Sequence, residues 1–128
     1  MGNGTSIGRV RGLGSSHEGA HHWLAQRYTA IGNLFLGVWL VTSIVLLPDL
    51  EMGTVVSWLS KPLPGTAMIL LVISTFNHAQ LGLHVLIEDY VHDDGNKFAA
   101  LAALNLVAIA GSVFAIFCIL KVALGGAA

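Results

Sequence analysis

The chain has 128 residues, of which 55% are hydrophobic and only 10% charged, with a mean hydropathy of +0.75. Soluble domains carry about 25% charged residues, so this composition excludes an ordinary water-facing surface, marks an integral membrane protein, and equally excludes intrinsic disorder. The net charge of −1 excludes a basic footprint for nucleic acid, and the single cysteine, Cys118, excludes a disulfide framework or a cysteine-only metal cluster.

Residues 1–27 are rich in Gly and Ser and have little periodicity, which predicts an arm lying in water or against a partner. Within it His17, Glu18, His21 and His22 form a weak metal-like pattern. The plainer reading of that pattern is a solvated stretch ahead of the first helix. Three apolar stretches follow, at 28–47, 65–87 and 98–120, none containing Asp, Glu, Lys or Arg. Each is close to the roughly 20 residues that cross a hydrocarbon core. Three segments cannot close a barrel, so all three are expected to be helices. The expected fold is an all-α membrane protein whose three transmembrane helices form part of a heteromeric helical bundle. The long polar lead and the sequence LLPDLEMG beyond the first stretch argue against a cleaved signal peptide.

Helix-breaking chemistry falls between the spans. Pro48, Pro62 and Pro64 lie in the first connection, 48–64, and Asp93-Asp94-Gly95-Asn96 in the second, 88–97. A short tail, 121–128, follows the third span. Arg9, Arg11, Arg27 and Lys97 fall on one side of the membrane, Lys61 and Lys121 on the other. That bias predicts a cytoplasmic N-terminus and a non-cytoplasmic tail, with Trp23, Tyr28 and Trp58 as interfacial anchors.

The second span holds most of the polar chemistry: Asn77, His78, Gln80 and His84. Ionisable residues inside a membrane are rare and normally face a bundle interior, a cavity or a cofactor. His78 and His84 lie about 240° apart on a helix, too far to chelate one metal, whereas His78 and Asp89 lie within about 20° of one line and about 16.5 Å apart. Gly82, about 40° from His78, leaves room on that face for a flat or bulky group. Three readings of His78 stand: an axial ligand of haem iron, a neutral imidazole hydrogen-bonded to a neighbouring helix, or a proton-relay group, for which the third span offers no partner. His84 reads as an interfacial or interhelical hydrogen-bonding residue. Glu88-Asp89-Tyr90 reads either as a polar helix end, with its carboxylates at the unfavourable end of the helix dipole, or as a site. In the second case Tyr90 donates to a ligand oxygen such as a quinone carbonyl and Asp89 orients the phenol. Arg27, on the same membrane side, is available to Asp89 or to an acidic cofactor group such as a haem propionate.

The stretch HAQLGLHVLIEDYVH, His78 to His92, closely resembles the hydrophobic membrane anchor subunit of succinate dehydrogenase, the D chain of respiratory complex II. The specific element is a His followed, after ten residues, by Asp-Tyr. GLGSSHEGAHHWLAQRYTAI is similar to the arm and first helix of alphaproteobacterial members, and the third span matches only as an apolar helix. The resemblance covers most of residues 12–97. It implies that His78 is one axial ligand of a haem b, the other coming from a companion cytochrome b subunit. It also implies that Tyr90 donates a hydrogen bond to ubiquinone with Asp89 in support, and that Arg27 lies near the haem propionates. By the same resemblance the chain sits in the bacterial inner membrane, packs on its companion through small residues such as Gly32, Gly37, Ala103 and Gly111, and docks the iron–sulfur and flavoprotein subunits. Succinate would then be oxidised on the flavoprotein, leaving this chain non-catalytic alone. The alternatives are a fumarate reductase anchor and a small non-redox transporter or channel module using His78 and His84.

Overall fold

The computed structural model describes residues 19–125. These form four α-helices in chain order: α1 (Gly19–Val45), α2 (Met52–Leu59), α3 (Pro62–Tyr90) and α4 (Asp94–Gly125). No strand occurs among the described residues. Helices α1, α3 and α4 are each long and apolar enough to cross a membrane. They contain 27, 29 and 32 residues, about 40 Å or more at 1.5 Å per residue. A hydrocarbon core is about 30 Å thick, so each helix projects beyond its apolar stretch. This is why α1 begins well upstream of residue 28 and takes in His21, His22, Trp23 and Arg27, which the sequence assigns to the arm. His17 and Glu18 lie outside the described residues.

The connections follow from local chemistry. After Val45 the chain leaves α1 through a tightened turn, Leu47 N–H to the Ile44 carbonyl at 3.2 Å, and Pro48 has no N–H with which to continue the ladder. The Asp49 carboxylate accepts the Glu51 N–H at 3.0 Å, a side-chain turn that carries the backbone into α2. That short helix, inside the stretch expected to be only a connection, packs on α3 and α4. Its Trp58 stacks on Trp39 of α1, with ring centroids 5.8 Å apart and planes 21° from parallel. Pro62 occupies the first position of α3, where a missing N–H costs nothing; the proline that punctuates the sequence here starts a helix. Between α3 and α4 lie only residues 91–93. The Asp93 carboxylate accepts the Asn96 N–H at 2.9 Å and its carbonyl accepts the Lys97 N–H at 2.8 Å, so Asp93 caps α4. Asp94 in the first turn suits the positive end of the helix dipole.

The three long helices form a row. Helix α3 packs against α1 on one side and α4 on the other, and α1 and α4 do not pack on each other. The helical wheel explains this. Phe76 and Gln80, two residues on either side of His78, lie about 160° around α3 from it, and these are the residues that meet α4. Gln80 donates its amide N–H to Asn105 Oδ1 at 2.6 Å. A Cβ placed on Gly111 would come within 2.6 Å of the Phe76 ring, so glycine is what lets these backbones close. On the other side a Cβ placed on Gly32 would stand 3.1 Å from Ser74 Oγ. Gly32 and Gly111 therefore serve packing within this chain, whereas Gly37 faces open space and Ala103 is exposed.

Among the described residues only Leu59, Pro64 and Ala108 are buried. Phe35, Phe98, Phe114 and Phe117 are each more than 60% exposed. A water-soluble fold cannot leave so continuous an apolar surface uncovered. Lipid or other helices cover it in the working protein.

Candidate functional site in the seam between α1 and α3

Helices α1 and α3 run antiparallel, and their contact is a polar seam inside an otherwise apolar pair. From the His22 end inward, the His22 ring meets the edge of the His84 ring, with centroids 5.6 Å apart at 60°. Gln26 Nε2 lies 3.9 Å from where a Cβ on Gly82 would stand. Thr29 Oγ1 and His78 Nδ1 are 3.1 Å apart. The Ser74 hydroxyl donates to the Thr29 carbonyl at 3.2 Å, and the Thr75 hydroxyl donates to Asn33 Oδ1 at 3.3 Å. From His22–His84 through Gln26–Gly82 to Thr29–His78 the numbers rise along α1 as they fall along α3, as expected of antiparallel helices.

His78 sits at the centre of this seam, half-buried, in the apolar interior of α3. Its Nδ1 is engaged by Thr29, and its Nε2 makes no hydrogen bond among the described residues. His84 is also half-buried; its Nε2 lies 3.7 Å from Glu88 Oε1, one turn on. His22 has a buried Nε2 with no hydrogen-bond partner among the described residues. Although His78 and His84 occupy different angular positions, both meet α1, His78 at Thr29 and His84 at His22. Among the described residues no group of three or more His, Cys, Asp or Glu is arranged to hold a metal ion; any iron bound at His78 would take its other ligands from outside this set.

The remaining sequence-derived candidates, Arg27, Asp89 and Tyr90, make no hydrogen bond or ion pair with one another among the described residues, and the register of the seam sets Arg27 nearer the level of Gly82 than of Asp89. Arg27 is exposed, and its guanidinium lies over the Trp23 ring at 5.3 Å from the centroid, a cation–π contact, rather than against Asp89. Asp89 and Tyr90 form the last turn of α3, both exposed, with Tyr90 at 76%. No hydrogen bond joins Asp89 to Tyr90 among the described residues. Because α3 is continuous from Pro62 to Tyr90, the line from His78 to Asp89 is preserved, about 16.5 Å long by helix rise.

Sequence reasoning missed the α1 half of the seam. Its members, His22, Gln26, Thr29 and Asn33, recur at helical spacing, and that polar stripe was the available signal. On the far side of α3, Asn77, Gln80 and Ser112 line a recess of about 70 Å³ facing α4.

An apolar three-span helical row with polar seams and an engaged imidazole in its middle defines a multi-pass α-helical membrane protein. Residues 1–119 match the family of succinate dehydrogenase/fumarate reductase transmembrane subunits. The chain is 30% identical over 103 residues to the succinate dehydrogenase hydrophobic membrane anchor subunit of Rickettsia bellii (strain RML369-C), covering 80% of this chain and 82% of the relative. It is 35% identical over 86 residues to the subunit of the same name from Rickettsia conorii, covering 66% and 68%. For the Rickettsia felis subunit the identity is 33% over 106 residues, covering 80% and 88%. No solved structure matches the chain. The chain belongs to this transmembrane-subunit family, among the succinate dehydrogenase membrane anchors.

The family resemblance implies a haem, and the donor set of this chain fits one. An axial ligand needs an imidazole in apolar surroundings with one ring nitrogen held and the other uncommitted. His78 lies within an apolar span with Nδ1 engaged by Thr29 and Nε2 without a hydrogen bond among the described residues, whereas on His84 it is Nε2 that faces a carboxylate, that of Glu88.

Proposed function

We propose that this chain, together with a companion cytochrome b subunit, binds haem b and lines part of a ubiquinone pocket, so that electrons from succinate reach the quinone at the cytoplasmic face of the bacterial inner membrane. The iron–sulfur and flavoprotein subunits dock on that face, and succinate is oxidised on the flavoprotein. The observation that carries this reading is His78: a half-buried imidazole in mid-span with one nitrogen engaged, eleven residues ahead of Asp89-Tyr90 on a single helix.

Within this reading each residue has a task. His78 would hold the haem iron through its free ring nitrogen, Nε2. Bound haem supplies a one-electron redox centre beside the quinone. Arg27 neutralises a haem propionate or the quinone-side charge with a guanidinium that remains exposed. Tyr90, at the interface, donates its phenol proton to a quinone carbonyl in a hydrogen bond, and Asp89 accepts from and orients the groups around it. The apolar flanks of α1 and α3 on either side of the seam keep water from it.

The test is a reduced-minus-oxidised optical spectrum of membranes holding the complex. His78→Ala is expected to abolish the haem b band and His84→Ala to keep it. A band that survives His78→Ala overturns the assignment.

A further inference from the structure

Resting on the proposed ligand role of His78, we infer that Thr29 is a positioning residue that fixes the tautomer of His78, so that Nδ1 carries the proton and Nε2 is the atom presented to iron. The argument starts from the hydroxyl. Thr29 Oγ1 lies 2.9 Å from the Ala25 carbonyl and 3.1 Å from the Gln26 carbonyl. Carbonyl oxygens only accept, and a hydroxyl has one proton to give. That proton is committed to the preceding turn, the usual habit of a threonine inside a helix. Toward His78 Nδ1, 3.1 Å away, Thr29 is left with lone pairs. The contact is therefore best made as Nδ1–H donating to Oγ1, which leaves the lone pair of the neutral ring on Nε2.

The placement of Thr29 is itself built. The Ser74 hydroxyl donates to the Thr29 backbone carbonyl at 3.2 Å, and Ser74 stands one turn before His78 on the same face of α3. Gly32, one turn further along α1, gives Ser74 the space to do this, with 3.1 Å between Ser74 Oγ and the position of a Cβ. Helix α3 thus grips the Thr29 backbone with one residue and receives its side chain with the next. The consequence is electronic as well as geometric. An acceptor on Nδ1–H makes the opposite nitrogen a stronger donor; a stronger donor favours the higher oxidation state of iron and so lowers the midpoint potential of the haem.

The experiment uses the whole complex in detergent-solubilised membranes, with assembly scored by co-purification of the companion chains. Thr29→Val keeps the shape and removes the acceptor, Thr29→Ala removes it without β-branched bulk, and Thr29→Ser retains it. The Val and Ala variants are expected to raise the haem midpoint potential, shift the low-spin electron paramagnetic resonance signal and weaken haem retention by about 10- to 100-fold. Thr29→Ser is expected to keep the unsubstituted values. A potential and resonance signal unchanged in whichever of the Val and Ala variants assembles overturns the inference, as does a Ser variant that shifts as far as Ala. His78→Ala in the same series separates the two levels. Haem lost there, with unchanged Thr29 variants, rejects the role of Thr29 alone; haem retained there rejects the ligand role beneath it.

Discussion

His22 of α1 and His84 of α3 meet edge to face, with ring centroids 5.6 Å apart, and the buried Nε2 of His22 finds no hydrogen-bond partner among the described residues. An unpartnered buried nitrogen costs about 1–3 kcal/mol, and an apolar group of the same shape removes that cost. His22→Phe keeps a flat ring against His84, so the complex is expected to assemble at least as well as the unsubstituted one. The heat-inactivation midpoint of the solubilised complex checks this; a fall would show that His22 has a polar task in the assembly.

The Gln80–Asn105 hydrogen bond, at 2.6 Å, joins α3 to α4 within two largely apolar membrane spans. Interhelical hydrogen bonds in membranes average about 0.6 kcal/mol and reach about 1.7 kcal/mol. A double-mutant cycle of Gln80→Leu and Asn105→Leu, read by unfolding in mixed detergent, is expected to return a coupling of about 1 kcal/mol. A coupling of zero would mean that each amide finds another partner in the complex.

Gly111 of α4 faces the ring of Phe76 on α3. A Cβ there would fall 2.6 Å from the Phe76 ring, and overpacking of this kind costs about 1–3 kcal/mol. Gly111→Ala is expected to lower the thermal stability of the complex, and adding Phe76→Leu, which shortens the intruding ring, to recover part of the loss. Full stability of the single variant would show that the ring swings aside freely.

Tyr90 is 76% exposed, and its hydroxyl is the only group lost in Tyr90→Phe. Loss of one hydrogen bond to the quinone in the rate-limiting state, about 1.4 kcal/mol, corresponds to a tenfold fall in quinone reduction. Succinate oxidation with an artificial acceptor is expected to stay near the unsubstituted rate. Equal loss of both activities would indicate failed assembly rather than an altered quinone pocket.

Much of the architecture was legible because lipid leaves the chain few options. Three uncharged apolar stretches dictate three helices, and the structure has them. The ends were harder to read. The sequence pattern marks where apolar residues stop, but backbone hydrogen bonding continues into the headgroup region, so α1 reaches back to Gly19 and α3 forward from Pro62. Helix α2 escaped notice because its eight residues sit among prolines and turn formers, where no long periodicity develops. The site was legible from one side only. His78 stands out in an apolar run as a rare intramembrane imidazole, and its line to Asp89 follows from helix geometry alone. Thr29 does not stand out, since a single hydroxyl in an apolar stretch carries little weight. Its importance comes from the register of α1 on α3, which two separate segments cannot announce in advance.

Because α1, α3 and α4 stand side by side with α3 between the other two, and only the short α2 also reaches both α1 and α4, the described spans form a palisade one helix thick with two broad faces. Such a layer cannot shelter a bulky cofactor by itself; it can only be one wall of the chamber. Its fold and its occupancy by partners then become one equilibrium, as for subunits whose stability is inseparable from the concentration of what they bind. Substitutions in the seams should consequently be felt as lost stoichiometry of the whole complex before they are felt as lost chemistry.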